Sequence, residues 1–377
     1  MILRYLTIAV AFLITSACKS PTANPDEPDA AETVYIASFN SPLYAIEATT
    51  GTIKWEFTAQ DPGASSSGHN DAATIVGETV YALAGYVLYS INALTGAKKW
   101  SYVMHDPGSS APTVVNGVVF VCSSRDLYAL EANTGLKKWT FAGGGNLFTN
   151  PTVVNGTVYV HTDKLYALEA ITGSKKWEFK TGGGINSNPT VANGVVYVGS
   201  TDSFLYAIDA ATGAKKWSFK TGSEILSSPT ISNGIVYVSD ASSRLFALDA
   251  ELGLKKWDFA LGAAVESSPL VANGLIYVGS TTPGGTLFAL DATTGSQKWA
   301  LTLVPKSVGS QTWISSSPTI ASGTVYIGGD DAKLYALDAL TGSKKWVISL
   351  AGPIRSSPCV VTKKGIIYHP GISGDQP

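Results

Sequence analysis

Four histidines occur in the 377 residues, and two of them sit close to a carboxylate outside the strand-like patterns, in His69-Asn70-Asp71 and His105-Asp106. An imidazole beside an acid can relay a proton or help hold a metal ion. The chain has no close His-x-x-x-His or Cys-x-x-Cys spacing, so a metal would need the two segments to converge from separate loops, and none is expected. A third stretch carries Lys306, Gln311 and Trp313, the one tryptophan of nine that stands outside a repeated pattern. With these polar groups fixing orientation, Trp313 could serve as an aromatic platform for a peptide or a sugar. The competing reading makes all three stretches surface loops, with Trp313 folded against the body.

Elsewhere the chemistry-bearing residues read as structural. His161 and His369 lie in strand-like patterns, and no Ser/His/Asp arrangement has a recognisable local motif, so no catalytic residue is assigned. Gly143 to Gly145 and Gly182 to Gly184 follow strand patterns with no helix to aim at a phosphate. Asn155-Gly156-Thr157 matches a glycosylation sequon but is better explained as a hairpin turn. Cys122 and Cys359 sit in apolar strand patterns of different repeats, which favours two buried free thiols over a bridge.

The elements that must position these residues come from repetition. LYALDALTGSKKW, from Leu334 to Trp346, recurs in near-copies, and aligning the chain on Trp55, Trp100, Trp139, Trp177, Trp217, Trp257, Trp299 and Trp346 gives spacings of 45, 39, 38, 40, 40, 42 and 47 residues. A period near forty signals a propeller or a solenoid. One unit from Ser187 reads SNPTVANG, VVYVGSTDS, FLYAIDAATG, AKKWSFKTG, which is four short strand patterns and no helical period. Asn-Gly joins the first pair in five units and Thr-Gly joins the second pair, so both hairpins are tight. The acid before the Thr-Gly turn (Asp209, Asp249, Asp291 and Asp338, with Glu47, Glu131, Glu169 or Asn92 elsewhere) is placed to accept hydrogen bonds from turn amides.

Four antiparallel strands per unit and eight units predict an all-β, eight-bladed propeller, with each repeat tryptophan covering the gap between neighbouring blades. The first unit lacks an innermost strand, and Ser356 to Val361 at the far end can supply it, so the two ends close the ring within blade 1. GIIYH from Gly365 is one further second-strand copy without an assigned place, and residues 365–377 have no assigned role. Lysine pairs at Lys98-Lys99, Lys137-Lys138, Lys175-Lys176, Lys215-Lys216, Lys255-Lys256 and Lys344-Lys345 fall on or beside the outermost strand. There they discourage edge-to-edge pairing, in preference to contacting an anionic surface.

Because the Asn-Gly and Thr-Gly turns tie off one face, the links between blades must lie on the other. Three links are irregular: TAQDPGASSSGHNDAA after blade 1, MHDPGSSA after blade 2 and LVPKSVGSQTWISSS after blade 7. In a closed ring they crowd one sector, and His69, Asn70, Asp71, His105, Asp106, Lys306, Gln311 and Trp313 are the candidate partner-binding residues within it.

The first residues, MILRYLTIAVAFLITSAC, place Arg4 before an apolar run that ends in small residues, as in a secretory signal. Cys18 in Thr-Ser-Ala-Cys has the form of a lipid-attachment cysteine, although ordinary cleavage would also suit the segment. The expected organisation is a signal over 1–18, a Pro- and acid-rich tether over 19–32 and the propeller over 33–377. A net charge of −2 and pI near 6.1 offer nothing to attract a polyanion, which argues against nucleic acid.

The pattern A-x-D-x-x-T-G-x-x-x-W, nearly intact in Ala207 to Trp217 and Ala336 to Trp346, resembles the tryptophan-docking repeat of the pyrroloquinoline quinone (PQQ)-type propellers. That family includes quinone-dependent dehydrogenases and also the factor B lipoproteins of outer-membrane β-barrel assembly, which act as scaffolds. For a dehydrogenase the resemblance implies bound PQQ, a calcium ion held by acidic and amide side chains, an Asp base and in many members a disulfide of adjacent cysteines. No adjacent cysteine pair exists here, and the acids mostly occupy the turn position common to all repeats. The expected function is therefore a cofactor-free, monomeric, lipid-anchored scaffold in the cell envelope, most simply at the outer membrane, that holds a protein or peptide partner. The alternatives are a surface receptor for a glycan or small ligand built on Trp313, and a PQQ-dependent oxidoreductase.

Overall fold

The computed structural model describes residues 31–38, 42–64, 73–108, 110–147, 149–281, 285–303 and 314–363, with the backbone of Ile367–Tyr368. These residues form eight antiparallel sheets arranged as the blades of a propeller, with no helix among them. Blade 5 is representative: Thr190–Ala192 innermost, then Val195–Gly199, Phe204–Asp209 and outermost Lys215–Lys220. Its second strand is buried on both faces, because each blade is sandwiched between two others, and this is why VVYVG is a continuous apolar run. The outermost strand instead leaves its first two lysines exposed and half-buries the tryptophan that follows.

Hydrophobic packing lies between blades. Val195, Tyr197, Leu205 and Ala207 of blade 5 form one cluster with Val236, Val238, Phe246 and Leu248 of blade 6. Val34, Ile36, Tyr44 and Ile46 of blade 1 do the same with Tyr326, Leu334 and Ala336 of blade 8, so the ring is closed by a core like its others.

The repeat string explains how each joint is locked. The Trp177 indole N–H donates to the Ala210 carbonyl of the next blade at 3.0 Å, and the same oxygen accepts the Tyr159 hydroxyl at 3.3 Å. All eight repeat tryptophans make the equivalent bond, at 2.9 to 3.3 Å. The ring of Trp177 lies flat on Gly213, whose φ of +76° suits the turn and where an added Cβ would come within 2.8 Å of the indole. Glycine is thus required twice at this position, by backbone and by neighbour.

Most turn acids pair with the second lysine, and the aspartates and Asn92 cap the turn amides as well. Asp209 Oδ1 accepts the amides of Ala211 and Thr212 at 3.2 and 2.9 Å and the Thr212 hydroxyl at 2.8 Å, and Asp249, Asp291, Asp338 and Asn92 hold the corresponding amides of their own turns. The longer Glu47, Glu131 and Glu169 reach Lys54, Lys138 and Lys176 at 2.9 to 3.0 Å. In every blade the register slips between the third and fourth strands at the lysine before the tryptophan, for example where Ala207 opposes Trp217 and Ile208 opposes Lys215. This bulge leaves the second lysine unpaired in the ladder and lets it fold back over the sheet.

Blade 1 combines Ala31–Ala37, Leu43–Glu47 and Ile53–Phe57 with Cys359–Thr362 on their inner side, as expected from the missing first strand. The first strand already begins at Ala31, which pairs with Thr362. The extra second-strand copy also finds its place: Ile367–Tyr368 pairs with the inner edge of Cys359–Thr362, making blade 1 five-stranded.

Candidate functional site

Each blade ends its tight hairpins, Asn-Gly and Thr-Gly in most units, on one face, the turn face, and its links to other blades on the opposite link face. Near the axis, the link face is tied by side chains that precede each innermost strand. The amide of Ala111 donates to Asn150 Oδ1 at 2.8 Å, that of Asn150 to Asn188 at 2.8 Å, and the chain continues through Ser228, Ser268 and Ser317 to Ser357 at 2.9 to 3.1 Å. One turn further in, Thr152, Thr190 and Thr319 donate their hydroxyls to the proline carbonyl of the next blade at 2.6 Å. Both series are irregular in places. Ala111 has no side-chain acceptor to offer its own neighbour, and Leu270 and Cys359 stand where other blades have threonine.

The links on either side of blade 2 meet at the Gly85-Tyr86 turn between its second and third strands. The Tyr86 amide donates to the Gly63 carbonyl of the link arriving from blade 1 at 3.0 Å. From the link leaving toward blade 3, the Met104 amide donates to the Tyr86 carbonyl at 2.7 Å and the Gly108 amide to the Gly85 carbonyl at 2.7 Å. Asp61 is held by Lys98 at 2.9 Å, and that ammonium draws its carboxyl below the usual range. Tyr86 stays 38% exposed at the centre of this junction. Sequence reasoning did not single it out. The available signal was that Ala84-Gly85-Tyr86-Val87 is a two-residue hairpin where most blades have a longer polar loop.

Of the residues proposed from the sequence, His105 and Asp106 lie on the second of these links. The His105 side chain is 90% exposed, with Nδ1 3.9 Å from Asp106 Oδ2, and its amide donates to the Tyr128 hydroxyl of blade 3 at 3.3 Å. Cys18, His69, Asn70, Asp71, Lys306, Gln311, Trp313 and His369 lie outside the described residues.

His161 is buried at the end of the second strand of blade 4, where blades 5, 7 and 8 have glycine, and burial pushes its imidazole down to about 4. Neither ring nitrogen has a side-chain or backbone partner within hydrogen-bond geometry. Asp240, also buried, uses Oδ1 to cap its own turn through Ser242 and Arg244. Cys122 and Cys359 are buried free thiols, and burial holds both far above the ordinary thiol range, Cys359 at about 12. Thiols in that state are poor nucleophiles.

Among the described residues no three of His, Cys, Asp and Glu converge as a metal would require. On the link face Tyr86 and His105 offer an exposed aromatic ring and an exposed imidazole for contact with another molecule.

A family model described as outer membrane protein assembly factor BamB matches residues 19–111, 84–164, 143–230 and 220–364. No curated protein matches by sequence. Among solved structures, BamB from Moraxella catarrhalis is similar at 18% identity and a TM-score of 0.65, covering 79% of this chain and 93% of that one. A computationally designed protein, Ika8, is similar at 13% identity and 0.68, covering 86% and 97%, and a europium-containing methanol dehydrogenase at 14% and 0.64, covering 79% and 81%. At these identities the structural likenesses establish the propeller fold, which scaffolds and dehydrogenases share.

Proposed function

Because the chain belongs to the family of outer membrane protein assembly factor BamB, we propose that it is a non-catalytic envelope scaffold, anchored through a lipid on Cys18, that docks a protein segment on its link face. The observation that carries this reading is the junction at Tyr86. Links meet the corresponding turns of blades 5 to 7 through equivalent backbone bonds, and what sets blade 2 apart is that its two links are irregular in sequence and that its turn presents an exposed aromatic. A scaffold needs a distinctive patch on a rigid body, and here the rigidity comes from eight tryptophan locks.

Further departures from the repeat lie in the same part of the ring: Ala111 at the edge of the amide series, Cys359 in place of threonine, and the added strand Ile367–Tyr368. Blades 4 to 6 carry none of these. The reading includes no cofactor. It favours a component of β-barrel assembly as the partner, since that is the role named for the family.

Chemical crosslinking in native envelopes, followed by purification of this chain, tests the proposal. Specific recovery of a β-barrel assembly component, lost when Tyr86 and His105 are both replaced by alanine, supports it. Recovery of no such component, or recovery unchanged in the double variant, contradicts it.

A further inference from the structure

The turn face carries a feature that the scaffold reading does not use. The turns between third and fourth strands expose large apolar side chains outward: Leu94 (69% exposed) in blade 2, Leu136 (69%) in blade 3, Ile171 (82%) in blade 4, Leu252 and Leu254 (62% and 64%) in blade 6, and Leu340 (72%) in blade 8. Each turn is pinned by the preceding blade's tryptophan through the alanine carbonyl and the glycine beneath the indole, so these side chains are held on the rim. A ring of fixed, exposed leucines is costly in water and marks a contact surface.

Charge identifies what the ring contacts. The eight turn segments 47–54, 92–99, 131–138, 169–176, 209–216, 249–256, 291–298 and 338–345 hold fourteen lysines against eight acids, a balance of +6 in a chain whose net charge is −2. The remainder of the chain is thus −8, so positive charge is concentrated at these turns. The bulge described above aims the second lysine of most segments at its own turn acid, as in Lys138 to Glu131 and Lys256 to Asp249. The first lysine pairs with an acid outside the turn at Lys98, Lys175 and Lys255, and is left for solvent at Lys137 and Lys215, which make no ion pair among the described residues. Apolar tips flanked by cationic ammonium groups are the composition that settles into the headgroup layer of an anionic bilayer.

The route of the chain agrees. The first described strand begins at Ala31 on this same face, where the Ala48 amide of the blade 1 turn donates to the Glu32 carbonyl at 3.2 Å. We infer that the turn face rests on an anionic lipid surface, with the leucine tips in the headgroup layer and the link face directed away from it. This inference stands on the rim and does not require lipid on Cys18.

The test uses the full chain carrying Cys18→Ser and either Leu136→Cys on the turn face or Glu224→Cys on the link face, each labelled with an environment-sensitive fluorophore. The vesicles are phosphatidylethanolamine with phosphatidylglycerol, or phosphatidylcholine alone, with a bilayer-resident quencher. The inference predicts quenching at position 136 and not at 224, on the anionic vesicles and weakened by salt. In the chain labelled at 224, Leu94→Ser, Ile171→Ser and Leu340→Ser together should weaken vesicle binding about tenfold or more, and so should Lys137→Gln, Lys215→Gln and Lys344→Gln together. Equal quenching at both positions, binding unchanged in both triple variants, or protection of position 136 only when envelope proteins are added would overturn it. The last outcome would make the rim a protein-docking surface instead. Loss of crosslinking through Tyr86 and His105 would leave this result untouched, so the two readings fail separately.

Discussion

The indole nitrogen of Trp346 lies 2.9 Å from the carbonyl oxygen of Ala48, and through that bond the last blade is locked to the first. The same oxygen receives the Tyr326 hydroxyl at 3.2 Å, and Gly51 lies beneath the ring of Trp346. Trp346→Phe keeps a ring over the glycine and removes the hydrogen bond, which should cost about 1 to 2 kcal/mol. Trp346→Ala removes both and should cost about 3 kcal/mol or more. Urea unfolding of the two variants measures the difference, and equal losses would mean that the lock is packing alone.

Blade 3 has an incomplete lock. Phe120 occupies the position held by Tyr159, Tyr197 and Tyr237 in blades 4 to 6, so the Ala170 carbonyl accepts only the Trp139 indole, at 3.1 Å. Phe120→Tyr should restore the second bond and raise stability by about 0.5 to 1.5 kcal/mol. A shift of the urea midpoint to lower concentration would show that the pocket cannot take the hydroxyl.

The double demand on the turn glycine separates into its parts. Gly213 and Gly234 both have positive φ, +76° and +70°, but only Gly213 faces an indole. Gly234→Ala should cost about 1 kcal/mol for backbone strain, and Gly213→Ala clearly more, because Trp177 must also move. Thermal unfolding of the pair is the measurement.

His161 makes stability depend on pH. Its folded value of about 4 lies below its ordinary 6.5, so the unfolded chain binds the extra proton first as pH falls. The stabilisation from keeping it neutral is full above about pH 6.5 and is lost progressively toward pH 4, amounting to about 3 kcal/mol at most. Urea titrations at pH 7 and pH 5 should differ for the native chain by more than for His161→Leu, in which this contribution is gone.

Architecture was legible from the sequence because eight copies of one string repeat the same physical demands. Asn193-Gly194 and Thr212-Gly213 mark the hairpins, Trp217 and its counterparts mark the joints, and the surplus strand at Cys359 closes the ring. The bulge at the second lysine was not legible, since register depends on the neighbouring strand and not on residue type. Nor was the different service of Asp209 and Glu131 in one repeat position, which follows from a single methylene. For the candidate site the sequence located the irregular links and His105-Asp106. It passed over Tyr86 because an aromatic after Ala-Gly reads as ordinary strand, and only the folded ring shows its side chain exposed where two links meet.

Docking of a partner on the link face is the central claim, and site-specific photocrosslinking in living cells tests it most directly. A photoreactive side chain is placed at position 105 on the link face or at position 136 on the turn face. The account predicts a discrete crosslink to a β-barrel assembly component from position 105 and none from position 136. That crosslink appearing from 136 alone, or from neither position, would contradict it.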